Sequence, residues 1–115
     1  LQHWQGIVIA ACEQCGRNTL PTLDEPTPLR EFVRNSSTTD TRLLLSPEGS
    51  MRARDLAPAT HVTVLIGPEG GLTEDEQNTA VEAGFDRVRL GPRILRTETA
   101  AMAALAILQA HLGDF

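Results

Sequence analysis

The chain has 115 residues, 41% apolar and 22% charged, which suits one soluble domain with a modest core and gives no reason to expect two. Fifteen acidic residues against ten basic ones leave a net charge of −5. A stand-alone nucleic-acid binder is more often basic, so either the ligand is small or RNA attraction comes from a local patch or from additional protein. There is no signal peptide, no apolar run long enough to cross a bilayer and no secreted disulfide framework in two cysteines, so the reading is cytoplasmic with no membrane partner.

The first predicted element is a helix from Leu1 to Gly16, because Leu1, Trp4, Ile7, Val8, Ala11, Cys12 and Cys15 recur at the spacing of one helical face and Gly16 suits its end. An α/β domain that opens on a helix implies that part of its sheet lies upstream. Cys12 and Cys15 match the C-x-x-C spacing, but no second pair exists and His3, His61 and His111 lack ligand spacing. They read as small residues on a helix face, with no metal site. Residues 17–27 read as loop. Thr27-Pro28 supplies an N-cap and a first-turn proline for a short helix through Leu29, Phe32 and Val33. Asn35 to Asp40 is polar turn material and the first candidate for disorder. Arg42 to Ser46 reads as a short buried strand, and the Pro47-Glu48-Gly49 after it echoes Pro68-Glu69-Gly70. That echo marks either a third loop on one edge of the sheet or a plain turn.

The chain is organised around the stretch that follows. His61 to Ile66 is a β-branched apolar run, Gly67 to Leu72 a glycine and proline loop, and Thr73 with Glu76 a capping box that starts a helix over about Glu74 to Ala83. The construction then repeats, with a strand over Asp86 to Leu90, a loop over Gly91 to Arg96 and a helix from Thr97 to about Leu112. If the two strands are parallel neighbours joined by the helix between them, both loops emerge on one edge, where open α/β sheets bind ligands. One face then holds backbone amides with Glu69, Arg93, Arg96, Thr97 and Glu98. The last helix is apolar nearly all round from Ala100 to Leu108, so it either packs deeply on the sheet or lies in a subunit interface.

Other site types lack their patterns. The sequence has no G-x-G-x-x-G after a strand, no phosphate-binding P-loop and no G-x-S-x-G elbow around Ser46. One tryptophan, three phenylalanines and no tyrosine argue against a base-stacking platform. The helix start at Thr73 is a poor phosphate site, since Glu69, Glu74, Asp75 and Glu76 crowd it with negative charge. Glu98 can serve merely to favour a helix N-terminus, Glu69 to bond its own loop, and Arg17 or Arg93 to meet only water.

Ile66-Gly67-Pro68-Glu69-Gly70-Gly71-Leu72-Thr73, taken with Leu90-Gly91-Pro92-Arg93-Ile94-Leu95-Arg96-Thr97-Glu98-Thr99-Ala100, resembles the paired cofactor loops of the RsmE-type rRNA methyltransferases of the SPOUT superfamily. Trp4-Gln5 and Ala10-Ala11-Cys12-Glu13-Gln14-Cys15-Gly16-Arg17-Asn18 resemble a third segment of that family. The resemblance implies an α/β domain with a parallel sheet, helices on both faces and a C-terminal trefoil knot, an exception to the rule against knots. It implies S-adenosylmethionine as cofactor, a homodimer, and methylation of a uridine at N3 in 16S rRNA of the small ribosomal subunit. It also implies that residues 1–115 are the C-terminal two-thirds of the methyltransferase domain, truncated at its start and without the family's N-terminal RNA-binding barrel. Ile66, Gly67, Pro68, Glu69, Gly70, Gly71, Leu90, Gly91, Arg93, Ile94, Leu95 and Thr97 are the cofactor-binding positions this implies. Methyl transfer to N3 also needs a group to take a proton or stabilise the uracil anion. Arg96 or Arg17 is assigned to the anion, and Glu98 or Glu69 to orienting an arginine or accepting the proton. The rival reading is a nucleotide- or cofactor-binding module without catalysis of its own.

Overall fold

The computed structural model describes residues 2–36, 38 and 40–113. Among these residues, four helices and four strands follow in the order α1 (Gln2–Cys15), α2 (Leu29–Asn35), β1 (Thr41–Leu45), β2 (Met51–Arg52), β3 (Val62–Leu65), α3 (Glu74–Glu82), β4 (Asp86–Arg89) and α4 (Thr97–Leu112), with one 3₁₀ turn at Ala53–Asp55. The strands form one sheet in the order β2-β4-β1-β3. Every pairing is parallel, with Leu43 opposite Val64 on one side and opposite Asp86 on the other.

Successive residues of β1 point to opposite faces, and each face has its own core. Leu44 joins Val33, Ala80 and Phe85 beneath α2 and α3, whereas Leu43 joins Val88, Ala53 and Leu56 on the face that Leu108 of α4 reaches. Helices therefore cover both faces, as expected. The same two leucines correct the expected strand order. β3 and β4 are not neighbours, because β1 lies between them and pairs with both. A strand apolar on both faces belongs in the centre, while Asp86-Arg87-Val88-Arg89 alternates and tolerates a half-covered place. The crossover through α3 consequently spans two strand positions. The two loops still leave the same edge of the sheet.

Other boundaries shift for local reasons. The N-cap of α2 is Pro28 rather than Thr27, with no side-chain cap. A residue before proline is held extended, so the first carbonyl to accept is that of Pro28, bonded by Phe32 N at 3.0 Å. The capping box of α3 forms as expected, Thr73 N donating to Glu76 Oε1 at 2.9 Å and Glu76 N to Thr73 Oγ1 at 3.1 Å. β2 was not expected, since two residues carry no periodicity. Within the segment expected to be disordered, Ser37 and Thr39 lie outside the described residues, and Ser36 Oγ donates to the Val33 carbonyl at 2.8 Å.

The two longest helices are covered least by the rest of the chain. α1 buries only Cys12, leaving Trp4 and Ile7 more than half exposed. α4 buries only Ala104, and Met102 and Leu105 are 67% and 61% exposed. Of the two placements expected for α4, deep packing on this chain's own sheet does not occur. Its far end is fixed instead by His111 Nε2, 3.0 Å from the Leu56 carbonyl oxygen.

Candidate functional site

Three loops leave the carboxyl edge of the sheet and enclose a cleft of about 280 Å³. The first follows β1 and contributes Ser46 and Pro47, the second follows β3 and contributes Ile66 to Leu72, and the third follows β4 and contributes Leu90, Gly91 and Arg93 to Leu95. Leu44, Leu45 and Val88 form the apolar floor; Thr97 and Ala100 of α4 and Gln77 of α3 close the sides. Apolar walls with a few convergent polar groups and many backbone amides describe a small-molecule site.

The second loop is shaped by its glycines. Gly71 N donates to the Pro68 carbonyl at 2.7 Å, closing a four-residue turn, and Gly71 sits at φ +77°, where a side chain is strained. A Cβ at Gly67 would lie 2.9 Å from Leu72 N and 3.1 Å from Leu72 Cγ, so this close approach of the chain to itself requires glycine. Gln77 Nε2 donates to the Leu72 carbonyl at 3.2 Å and ties the end of the loop to the first turns of α3. The third loop is joined to the second by Thr97, whose hydroxyl donates to the Gly67 carbonyl at 3.0 Å. Thirty residues of sequence separation close through that one bond.

All twelve positions expected to bind a cofactor line this one cleft. Of the four expected to act on the substrate, only Glu69 lines it, exposed at the rim. Arg96 and Glu98 are exposed on either side of Thr97, next to the cleft but outside its lining. Arg17 stands apart, its Nε donating to the Thr19 carbonyl at 2.6 Å. The sequence reading missed Leu44, Leu45, Ser46, Pro47, Leu72, Gln77, Val88 and Ala100 as lining residues. The Pro47-Glu48-Gly49 echo was the available signal for the first loop. Ser46 N donates to the Val88 carbonyl at 2.9 Å, so this loop is tied to β4 as well as to β1.

The charged groups in and around the cleft are mostly acidic. Glu69 is at the rim, and the first turn of α3 adds Glu74, Asp75 and Glu76, with Arg93 the single basic residue in the lining. Among the described residues no group of three or more His, Cys, Asp or Glu side chains is arranged to hold a metal ion, and no helix is long and apolar enough to cross a membrane. Cys12 is buried and Cys15 exposed, both as free thiols.

The fold and sequence have known counterparts. A model of the RNA methyltransferase domain family matches residues 1–109. The ribosomal RNA small subunit methyltransferase E of Buchnera aphidicola from Acyrthosiphon pisum is 36% identical over the full chain, which spans 46% of that protein. The structure of the enzyme of the same name from Neisseria gonorrhoeae, bound to S-adenosylmethionine, matches all of the chain and 49% of its own length with a TM-score of 0.96 and 45% identity. A methyltransferase from Legionella pneumophila, solved with bound S-adenosylmethionine, matches 99% of the chain and 47% of its own with a TM-score of 0.93 and 45% identity. The chain thus spans about half the length of the relatives it matches.

Proposed function

Because the chain belongs to the RNA methyltransferase domain family, we propose that its cleft holds S-adenosylmethionine and that the protein methylates a uridine of 16S rRNA at N3. The observation that carries this reading is the convergence of both glycine loops on one cleft, with Thr97 bonded to Gly67. The residues fit such a ligand. Leu44, Val88 and Leu95 offer apolar walls, backbone groups of the loops offer hydrogen bonds, and the acidic rim suits a positively charged ligand better than a phosphorylated one.

When bound, S-adenosylmethionine supplies a methyl group made electrophilic by its sulfonium. The task of the chain is orientation, which the turn at Pro68 to Gly71 and the Thr97 bond serve by fixing the two loops relative to each other. Uracil N3 carries a proton that must leave. Glu69 at the rim, or Glu98 beside Thr97, takes it or orients an arginine, and Arg96 stabilises the anion that results. Arg17 acts on the same anion only if the RNA brings N3 toward the end of α1.

The reading includes a homodimer, supported by the apolar side chains of Trp4, Ile7, Met102 and Leu105 that this chain leaves open to solvent. It includes the C-terminal trefoil knot, supported by the return of Thr97 to Gly67. Calorimetric titration with S-adenosylmethionine should give saturable binding of one molecule per chain. Incubation with cofactor and small-subunit rRNA, followed by nucleoside mass spectrometry, should yield N3-methyluridine. A folded chain that releases no heat would overturn the cofactor reading, and a different methylated nucleoside would overturn the N3 assignment. Cofactor binding with no methyl transfer would favour the non-catalytic module.

A further inference from the structure

The ten basic residues of this acidic chain are all arginine, and three of them share one half-buried strip of the sheet. Arg52 of β2 and Arg89 of β4 are direct partners in parallel register, and Arg87 lies two residues before Arg89 on the same face. Because Leu44 pairs with Arg87, this is the α2 and α3 face. α3 packs over β1 on that face, and its Asn78 meets the strip, Oδ1 accepting from Arg87 Nη2 at 3.3 Å. Like charges directly opposite one another oppose strand pairing, so a built pair of arginines calls for a compensating anion. The Asp55 carboxylate accepts from Arg52 N at 3.2 Å, but among the described residues no carboxylate is paired with any of the three guanidinium groups. The Nε atoms of Arg87 and Arg89 are shielded from water and have no hydrogen-bond partner.

We infer that Arg52, Arg87 and Arg89 form a binding strip for consecutive phosphates of an RNA strand whose target base enters the cleft, which rests on the methyltransferase reading above. Position supports the match. Arg52 and Arg89 end their strands on the edge that carries the cleft, and Arg93, in the loop that follows β4, lines the cleft itself. Along β4 the two arginines stand roughly 6.6 Å apart and across to β2 about 4.8 Å, close enough for adjacent phosphates to be met separately. A guanidinium fork binds phosphate with two parallel hydrogen bonds, which an ammonium does not. The strip also gives a protein of net charge −5 a local site for a polyanion, away from the acidic start of α3.

The test is fluorescence anisotropy of a labelled oligouridylate against the chain over a range of salt, beside calorimetry with S-adenosylmethionine. The Arg52→Gln/Arg89→Gln double variant should bind RNA several-fold more weakly, with the slope of log affinity against log salt shallower by about 1.4, and with unchanged cofactor affinity. Arg52→Lys/Arg89→Lys should recover the slope, which a purely structural role would not predict. RNA binding by the Gln variant with an unaltered slope, or no RNA binding by a chain that binds cofactor, would overturn the strip and leave the cofactor reading standing. Polyglutamate that competes with RNA equally well would mark the strip as a site for acidic protein and overturn it likewise. Failure to bind cofactor would count against the methyltransferase reading alone.

Discussion

The loop after β3 and the loop after β4 share a composition and an edge of the sheet, yet they are held by different means. Residues 66–73 are closed from within: Gly71 bonds Pro68, Gln77 bonds Leu72, and the Thr73–Glu76 box fixes the exit. Residues 90–96 have no such internal closure among the described residues. The N-cap position of α4, Arg96, makes no side-chain cap, and Ile94 projects with 82% exposure. That loop is fixed at its end by Thr97 reaching across to Gly67. One loop is a preformed wall; the other is a lip hung from it. The difference teaches that the site depends on the first loop for its shape and on a single cross-link for its closure.

Gly67→Val should break this arrangement most severely. A Cβ already meets Leu72 N at 2.9 Å, which backbone cannot yield cheaply, and the added methyl groups crowd further. Overpacking of this kind costs about 1–3 kcal/mol. Because both the wall and the acceptor for Thr97 move, cofactor affinity measured by calorimetry should fall by more than about tenfold, and urea unfolding should show the loss of stability. A variant with wild-type affinity would show that the first loop does not shape the site.

Thr97→Val separates the lip from the wall without changing side-chain shape. The Gly67 carbonyl loses its donor in a partly buried place, a loss of about 1 kcal/mol. Stability should fall by that amount and cofactor affinity by roughly fivefold, consistent with about 1 kcal/mol. If stability falls while affinity is untouched, the lip does not need its cross-link to bind ligand.

The two loops were legible in the sequence for a physical reason. Strands ending in glycine and proline with a helix start close behind, marked for the first loop by a capping box, are written within about ten residues, and local chemistry decides them. The face of the site was legible too, because parallel strands send their loops to one edge whatever their order. The order itself was not. It depends on Leu43 and Leu44 both being buried, a fact about coverage of two faces that a five-residue strand does not disclose. The lining residues Ser46, Pro47 and Val88 were missed for the same reason, since they reach the cleft only once β1 lies beside β4, whereas β2 is too short to carry a pattern. For α4, the helix and its boundaries follow from pattern, but the pattern offered two ways to cover its apolar sides. Ala104 alone is buried by this chain.

Thr73→Ala offers the smallest effect and sharpens the comparison most finely. It removes one half of the capping box and leaves Glu76 N without its acceptor at the start of α3, where water can replace it in part. Loss of such a cap costs about 1 kcal/mol of stability, measurable as a lower urea midpoint with an unchanged slope. Two other bonds still define the loop, Gly71 to Pro68 and Gln77 to Leu72, and the Thr97 cross-link ends on Gly67, six residues before the cap. Cofactor affinity should therefore change by less than about twofold. A larger loss of affinity would mean that the wall takes its shape from the helix behind it, and that the internal closure of residues 66–73 is a consequence of the α3 start.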